Sequence, residues 1–121
     1  MQQQNYKERL KDLMDKYVHL VYQLTKTFPK DEIYGLTSQF RRSSLSIMLN
    51  YIEGYARRKP LVQLNFFEIS YGSLQESKYL LFFSLKENLI KDEDYEIGIK
   101  LAEEIGAMLW TEIKNLDSGN S

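Results

Sequence analysis

Apolar residues recur at three- and four-residue steps through nearly the whole of this 121-residue chain, and its only two prolines, Pro29 and Pro60, interrupt that rhythm. Such a period gathers side chains on one face of a helix, whereas a half-buried strand needs strict alternation. No segment carries a strand signal, so an all-α fold is expected. Before Pro29, Leu10, Leu13, Tyr17, Leu20, Val21 and Leu24 form the buried stripe of a first helix, expected over about 6–27. Proline lacks an amide donor and disfavours helical geometry in the residue before it, which ends the pattern. Pro60 instead suits the first position of a helix and opens a third one, expected over about 60–89. A second helix fits between the prolines at about 37–58, with Thr37 or Ser38 as its cap. A fourth is expected over about 92–116, where Asp92, Glu93, Asp94 and Glu96 complement the positive end of the helix dipole. Ala102, Ile105, Leu109, Ile113 and Leu116 are its inward residues. Four long helices with short links predict an antiparallel up-down-up-down four-helix bundle, a single domain over 1–121.

The second and third helices are less ordinary than the first and fourth. Projected at about 100° per residue, Leu36, Phe40, Ile47 and Tyr51 share one face of the second helix. Leu45, Leu49, Ile52 and Ala56 share nearly the opposite face. Between the two runs a narrow polar stripe, Gln39, Arg42, Ser46, Asn50, Glu53 and Arg57, whose members are close enough along the helix to contact one another. A helix with two apolar faces needs partners on both sides, which predicts a homo-oligomer with this stripe as a hydrogen-bonded network at or near the interface. The third helix carries apolar residues on a broad front: Leu64, Phe67, Tyr71, Leu74, Phe82 and Leu85 on one side, Val62, Phe66, Ile69, Leu80 and Phe83 on another. Gly72 in its middle costs about 1 kcal/mol against alanine. Close approach of a neighbouring helix is the expected reason.

Composition narrows the function classes. With 43% hydrophobic residues the chain is too apolar for a disordered one, and at this length a core forms without a metal or disulfide to hold it. It has no cysteine, which removes disulfides and thiolate metal sites and fits a reducing, cytoplasmic setting. The start lacks an export signal and no run approaches the roughly 20 apolar residues that span a bilayer, so no membrane partner is expected. The one histidine, His19, sits on a helix without the Glu-x-x-His pairing of bundle di-iron centres. Ser43, Ser44 and Ser46 have no histidine arrangement to activate them, and Gly35 and Gly54 belong to no glycine-rich phosphate loop. The carboxylates at 92–96 lack the spacing of a calcium loop. No catalytic residue, no metal site and no cofactor is therefore expected, and the chain reads as a non-enzyme.

Charge is uneven although the formal net charge is only −1. Residues 28–60 carry six basic and three acidic side chains, residues 91–121 three basic and eight acidic. Such asymmetry suits subunits meeting through opposite charge. The alternative partner is RNA, engaged by the guanidinium and ammonium groups of Arg41, Arg42, Arg57, Arg58 and Lys59. A pI near 5.9 argues against broad nucleic-acid binding.

Phe28-Pro29-Lys30, Tyr34-Gly35-Leu36-Thr37-Ser38-Gln39, Arg41-Arg42, Ser46-Ile47, Asn50 and Glu53-Gly54-Tyr55 together resemble the signature of a bacterial family, and the remaining helices follow that family's order and length. The family comprises small four-helix-bundle proteins first noticed as products of intervening sequences in 23S ribosomal RNA genes and filed under a ribosomal-protein label. The resemblance implies a homopentameric, barrel-shaped assembly. It also implies kinship with the accessory protein of diversity-generating retroelements, which partners a reverse transcriptase and RNA through a strongly basic surface. One departure stands out: the family usually reads Ser-Ile-Pro-x-Asn-Ile-Ala-Glu-Gly, and here Met48 replaces the proline. A straighter second helix is expected, because proline would kink it. The readings that follow are an oligomeric scaffold or protein-interaction module, and as alternative an RNA-binding accessory factor acting with a nucleic-acid enzyme such as a reverse transcriptase.

Overall fold

A computed structural model describes residues 5–119 as four helices: α1 (Tyr6–Thr25), α2 (Ser38–Tyr55), α3 (Pro60–Lys86) and α4 (Asp92–Gly119). No strand occurs among the described residues. The helices form a ring in which α1 packs on α2 and α4, and α3 packs on α2 and α4. Their cross-links reveal the direction of each. From α2 to α3 the pairs Arg42–Glu76, Ser46–Ser73 and Gly54–Gln63 ascend on one helix and descend on the other. Between α1 and α4, Tyr6 meets Met108 and Arg9 meets Glu104, again in opposite order. The arrangement is the antiparallel bundle that the periodicity predicts.

Helix ends fall one to three residues inside or outside the expected bounds for identifiable reasons. The α1 start is capped by Asn5, whose Oδ1 accepts from the Glu8 amide at 2.8 Å. α2 stops at Tyr55, and Lys59 is extended (φ −84°, ψ 127°) because it precedes Pro60. α3 ends at Lys86 rather than at 89, since Asn88 takes a left-handed conformation (φ 60°). There the Asn88 and Leu89 amides donate back to Leu85 and Ser84 carbonyls at 3.0 and 2.9 Å, which closes a Schellman motif. α4 runs on through Asp117 and Ser118, where the apolar spacing had already ended.

The link from α1 to α2 is not an open loop. A 3₁₀ turn (Lys30–Glu32) leads into a π-type turn (Ile33–Thr37), and the irregular backbone sits at Gly35 (φ −111°, ψ −108°). Thr37 and Ser38 do not cap α2, because the chain enters it already helical at Thr37 (φ −57°, ψ −49°). Glu32 takes that role one turn earlier, its Oε1 accepting from the Leu36 amide at 3.2 Å. α2 continues unbroken through Met48, the position of the missing proline.

The α2 core face holds Phe40, Ile47 and Tyr51 with Leu36 beside it, as its spacing predicts. α3 differs from expectation. Its buried residues are Phe67, Ser70, Leu74, Ser77, Leu81 and Ser84, a strict three-four alternation of large and small side chains. That 3.5-residue period is the seam of a coiled coil, where serine leaves room for the neighbouring helix to come close. Ser70 donates to the Ile47 carbonyl at 2.6 Å and Ser77 pairs with the Tyr17 hydroxyl at 2.8 Å, so the small polar groups are satisfied. Phe82, which the sequence pattern groups with Phe67 and Leu74 on one side, is 45% exposed, while Leu81 takes the core position.

Gly72 is also a correction. A Cβ built there meets no atom of the described residues within 4 Å, so none of the chain's other three helices packs on it. Gly72→Ala therefore gains helix propensity at no steric cost. Chemical denaturation should show it more stable than the parent by about 0.5–1 kcal/mol.

Candidate functional site

The outer face of α2 repeats at a three- and four-residue step: Leu45 is 36% exposed, Leu49 58% and Ile52 44%, with Ala56 exposed beyond them. These lie opposite the core residues of the same helix, and they stay exposed among the described residues. The adjoining surface of α3 contributes Val62 and Ile69, also exposed.

The polar stripe runs along the seam where α2 meets α3, and it resolves into three separate clusters. Arg42 donates to Glu76 on α3 at 2.8 Å and to Gln39 at 3.0 Å. One turn on, Ser46 pairs with Ser73 of α3 at 2.7 Å while Asn50 donates to the Ser46 carbonyl and hydroxyl. Glu53 and Arg57 form an ion pair at i, i+4, with the Arg57 guanidinium 5.0 Å above the Phe66 ring. Each cluster is half-buried or exposed, and each of the first two is completed by an α3 residue. The stripe positions were legible from spacing on α2, but Glu76 and Ser73 lie 34 and 27 residues away.

The basic residues fall into two groups rather than one patch. Arg41 and Arg42 sit near the start of α2, whereas Arg57, Arg58 and Lys59 follow its end. At 1.5 Å per residue the groups are about 24 Å apart. Arg42 and Arg57 already pair with carboxylates, Arg41 is half-buried against α1, and Arg58 and Lys59 are exposed.

A cluster that the sequence did not reveal lies inside the opposite end of the bundle from Arg41. The hydroxyls of Tyr51 and Tyr55 donate to the two carboxylate oxygens of Glu112 on α4. Phe67 packs against both rings, with centroids at 5.1 and 5.2 Å, and the Lys7 ammonium stands 4.5 Å from the Tyr55 ring centre. Burial pushes the Tyr51 phenol well above its ordinary range, with Glu112 adding to the effect, and pushes Tyr55 up to about 12 for the same reasons. The tyrosines thus serve the interior. They are not free platforms for stacking bases.

Tyr17 behaves similarly: it is fully buried, and burial raises its phenol to about 12 despite the Ser77 hydrogen bond. A phenol with a raised folded-state pKa stabilises the fold fully below pH 10 and loses that contribution as pH climbs through 12. About 2–3 kcal/mol should disappear in this window from Tyr17 alone. Urea titrations from pH 8 to 12 should show it. Tyr17→Phe starts about 1 kcal/mol lower, because Ser77 loses its partner, but falls less steeply.

His19 is exposed and 3.3 Å from Asp15 on the same helix turn. Asp92, Glu93 and Asp94 form the first turn of α4. Among the described residues, no group of three or more His, Asp or Glu side chains is placed to hold a metal ion, and no helix is long and apolar enough to cross a membrane.

Three comparisons with known proteins accompany this geometry. The family described as "23S rRNA-intervening sequence protein" matches residues 9–111. No curated protein matches the chain. A crystal structure of a protein with unknown function from the S23 ribosomal protein family of Bacteroides thetaiotaomicron is similar, with 22% sequence identity, 91% of this chain and 99% of that chain covered, and a TM-score of 0.83. At that identity the similarity speaks for the fold.

Proposed function

Because the chain belongs to the 23S rRNA-intervening sequence protein family, we propose that it is a non-enzymatic helical-bundle scaffold that assembles with copies of itself through the outer face of α2. The observation that carries this reading is the uncovered row Leu45, Leu49 and Ile52 on a helix whose other face is already in the core. Side chains of this size each gain about 1.5–3 kcal/mol on full burial, and regular spacing along one helix lets a second copy bury all of them together. The seam beside the row supports the same reading. Its polar groups are paired within the chain, so an arriving subunit does not have to satisfy a stranded charge. Complementary charge between the 28–60 region and the acidic last helix adds orientation. Five copies is the number implied by the family resemblance, and a cytoplasmic setting agrees with the cysteine-free composition.

RNA remains the rival partner. It draws less support, because the five basic residues split between two ends of α2 and two of them are neutralised. The discriminating experiment pairs sedimentation with a structured-RNA binding assay at low salt. Self-association without RNA binding supports the scaffold. RNA binding that weakens steeply with salt and disappears when Arg41, Arg42, Arg57 and Arg58 become alanine, in a chain that stays monomeric, replaces it.

A further inference from the structure

The cleft between the end of α1, the turns at 30–37 and the start of α2 has a volume of about 760 Å³, within the range that small-molecule sites occupy. Four cations line it, Lys26, Lys30, Arg41 and Arg42, and no carboxylate does. Arg42 is committed to Glu76. Arg41 is not committed to any acid. Its Nε donates to the Thr25 hydroxyl at 2.8 Å, that hydroxyl is fixed on the Val21 carbonyl at 2.8 Å, and the guanidinium lies 4.5 Å from the Tyr22 ring centre. Neutral groups therefore hold a half-buried guanidinium in place while both of its Nη groups lack a partner among the described residues. A charge withdrawn from water in this way gains most from an anion that takes both Nη donors at once.

The remaining wall mixes the hydroxyl side chains of Thr25, Thr37 and Ser38 with apolar and aromatic ones. Phe28 is buried at the floor, and Tyr34 stands 97% exposed at the rim. An aromatic ring so exposed beside a cationic cleft offers a stacking surface for a flat ring.

We propose that this cleft binds a phosphomonoester carrying a flat ring, the chemistry of a nucleoside monophosphate, with Arg41 and Lys30 on the phosphate and Tyr34 on the ring. Phosphate is preferred to carboxylate because its charge of about −1.5 to −2 matches more than one cation. This site is separate from the assembly face in its readout, since subunit number is measured by scattering and ligand binding by heat.

Isothermal titration calorimetry of the full chain with AMP, adenosine and inorganic phosphate tests it. AMP should bind saturably at one per chain, with adenosine and phosphate each weaker by about tenfold or more. Arg41→Gln should weaken AMP by about tenfold, the scale of one lost charge-assisted hydrogen-bond pair, with an unchanged helical circular dichroism spectrum. Lys30→Gln, at an exposed position outside the helices' core, should weaken it severalfold and covers the case in which Arg41→Gln disturbs folding. No heat from AMP at millimolar concentration overturns the site. So does AMP binding that neither substitution weakens, and equal affinity for phosphate and AMP removes the ring from the assignment.

Discussion

Gly54→Ala is expected to destabilise the protein by about 2 kcal/mol, although alanine is the better helix former. A Cβ at this position would lie 2.5 and 2.6 Å from two ring carbons of Phe67 and 3.3 Å from the Gln63 carbonyl oxygen. Phe67 cannot step aside, being 1% exposed and packed between the Tyr51 and Tyr55 rings. Those rings are in turn held by Glu112. Overpacking of this kind costs about 1–3 kcal/mol, and its upper end applies where the neighbours are fixed. The gain in helix propensity offsets about 1 kcal/mol of it. Equilibrium urea unfolding reads the difference. Stability equal to or above that of the parent would mean that α2 and α3 are farther apart than described. The close crossing of α2 on α3 supplies a physical reason for glycine at position 54.

The second large effect concerns assembly. Leu49→Arg should leave the isolated fold nearly as stable as before, because the side chain is 58% exposed and its replacement reaches no core atom. At the centre of an interface the same arginine would be buried without a partner, which costs several kcal/mol. The expected result is an assembled parent and a monomeric variant with equal helix content. Sedimentation velocity at matched concentration distinguishes them. A variant that assembles like the parent would take α2's outer face out of the interface.

How much of this was legible beforehand differs from helix to helix. α2 was readable because its two apolar faces are separated by polar residues, so Leu36, Phe40, Ile47 and Tyr51 could be assigned to one side, and all four are buried. α3 offered no such contrast. Apolar side chains surround it, and the groups that decide its buried seam are Ser70, Ser77 and Ser84, which a hydrophobic pattern counts as surface. Their burial becomes visible only with the Ile47 carbonyl and the Tyr17 hydroxyl in place. Long-range pairings were hidden for the same reason: Glu112 is 61 and 57 residues from the two tyrosines it joins. Charge was misleading in the opposite direction. Arg41 and Arg57 look like members of one basic region when counted along the sequence, yet a helix of about four turns separates them.

Multi-angle light scattering on size-exclusion-purified protein at micromolar concentration reads whether the chain assembles with copies of itself. A single species at an integral multiple of 14.4 kDa is predicted, five-fold for the proposed number of copies. A monodisperse species at 14.4 kDa would contradict it.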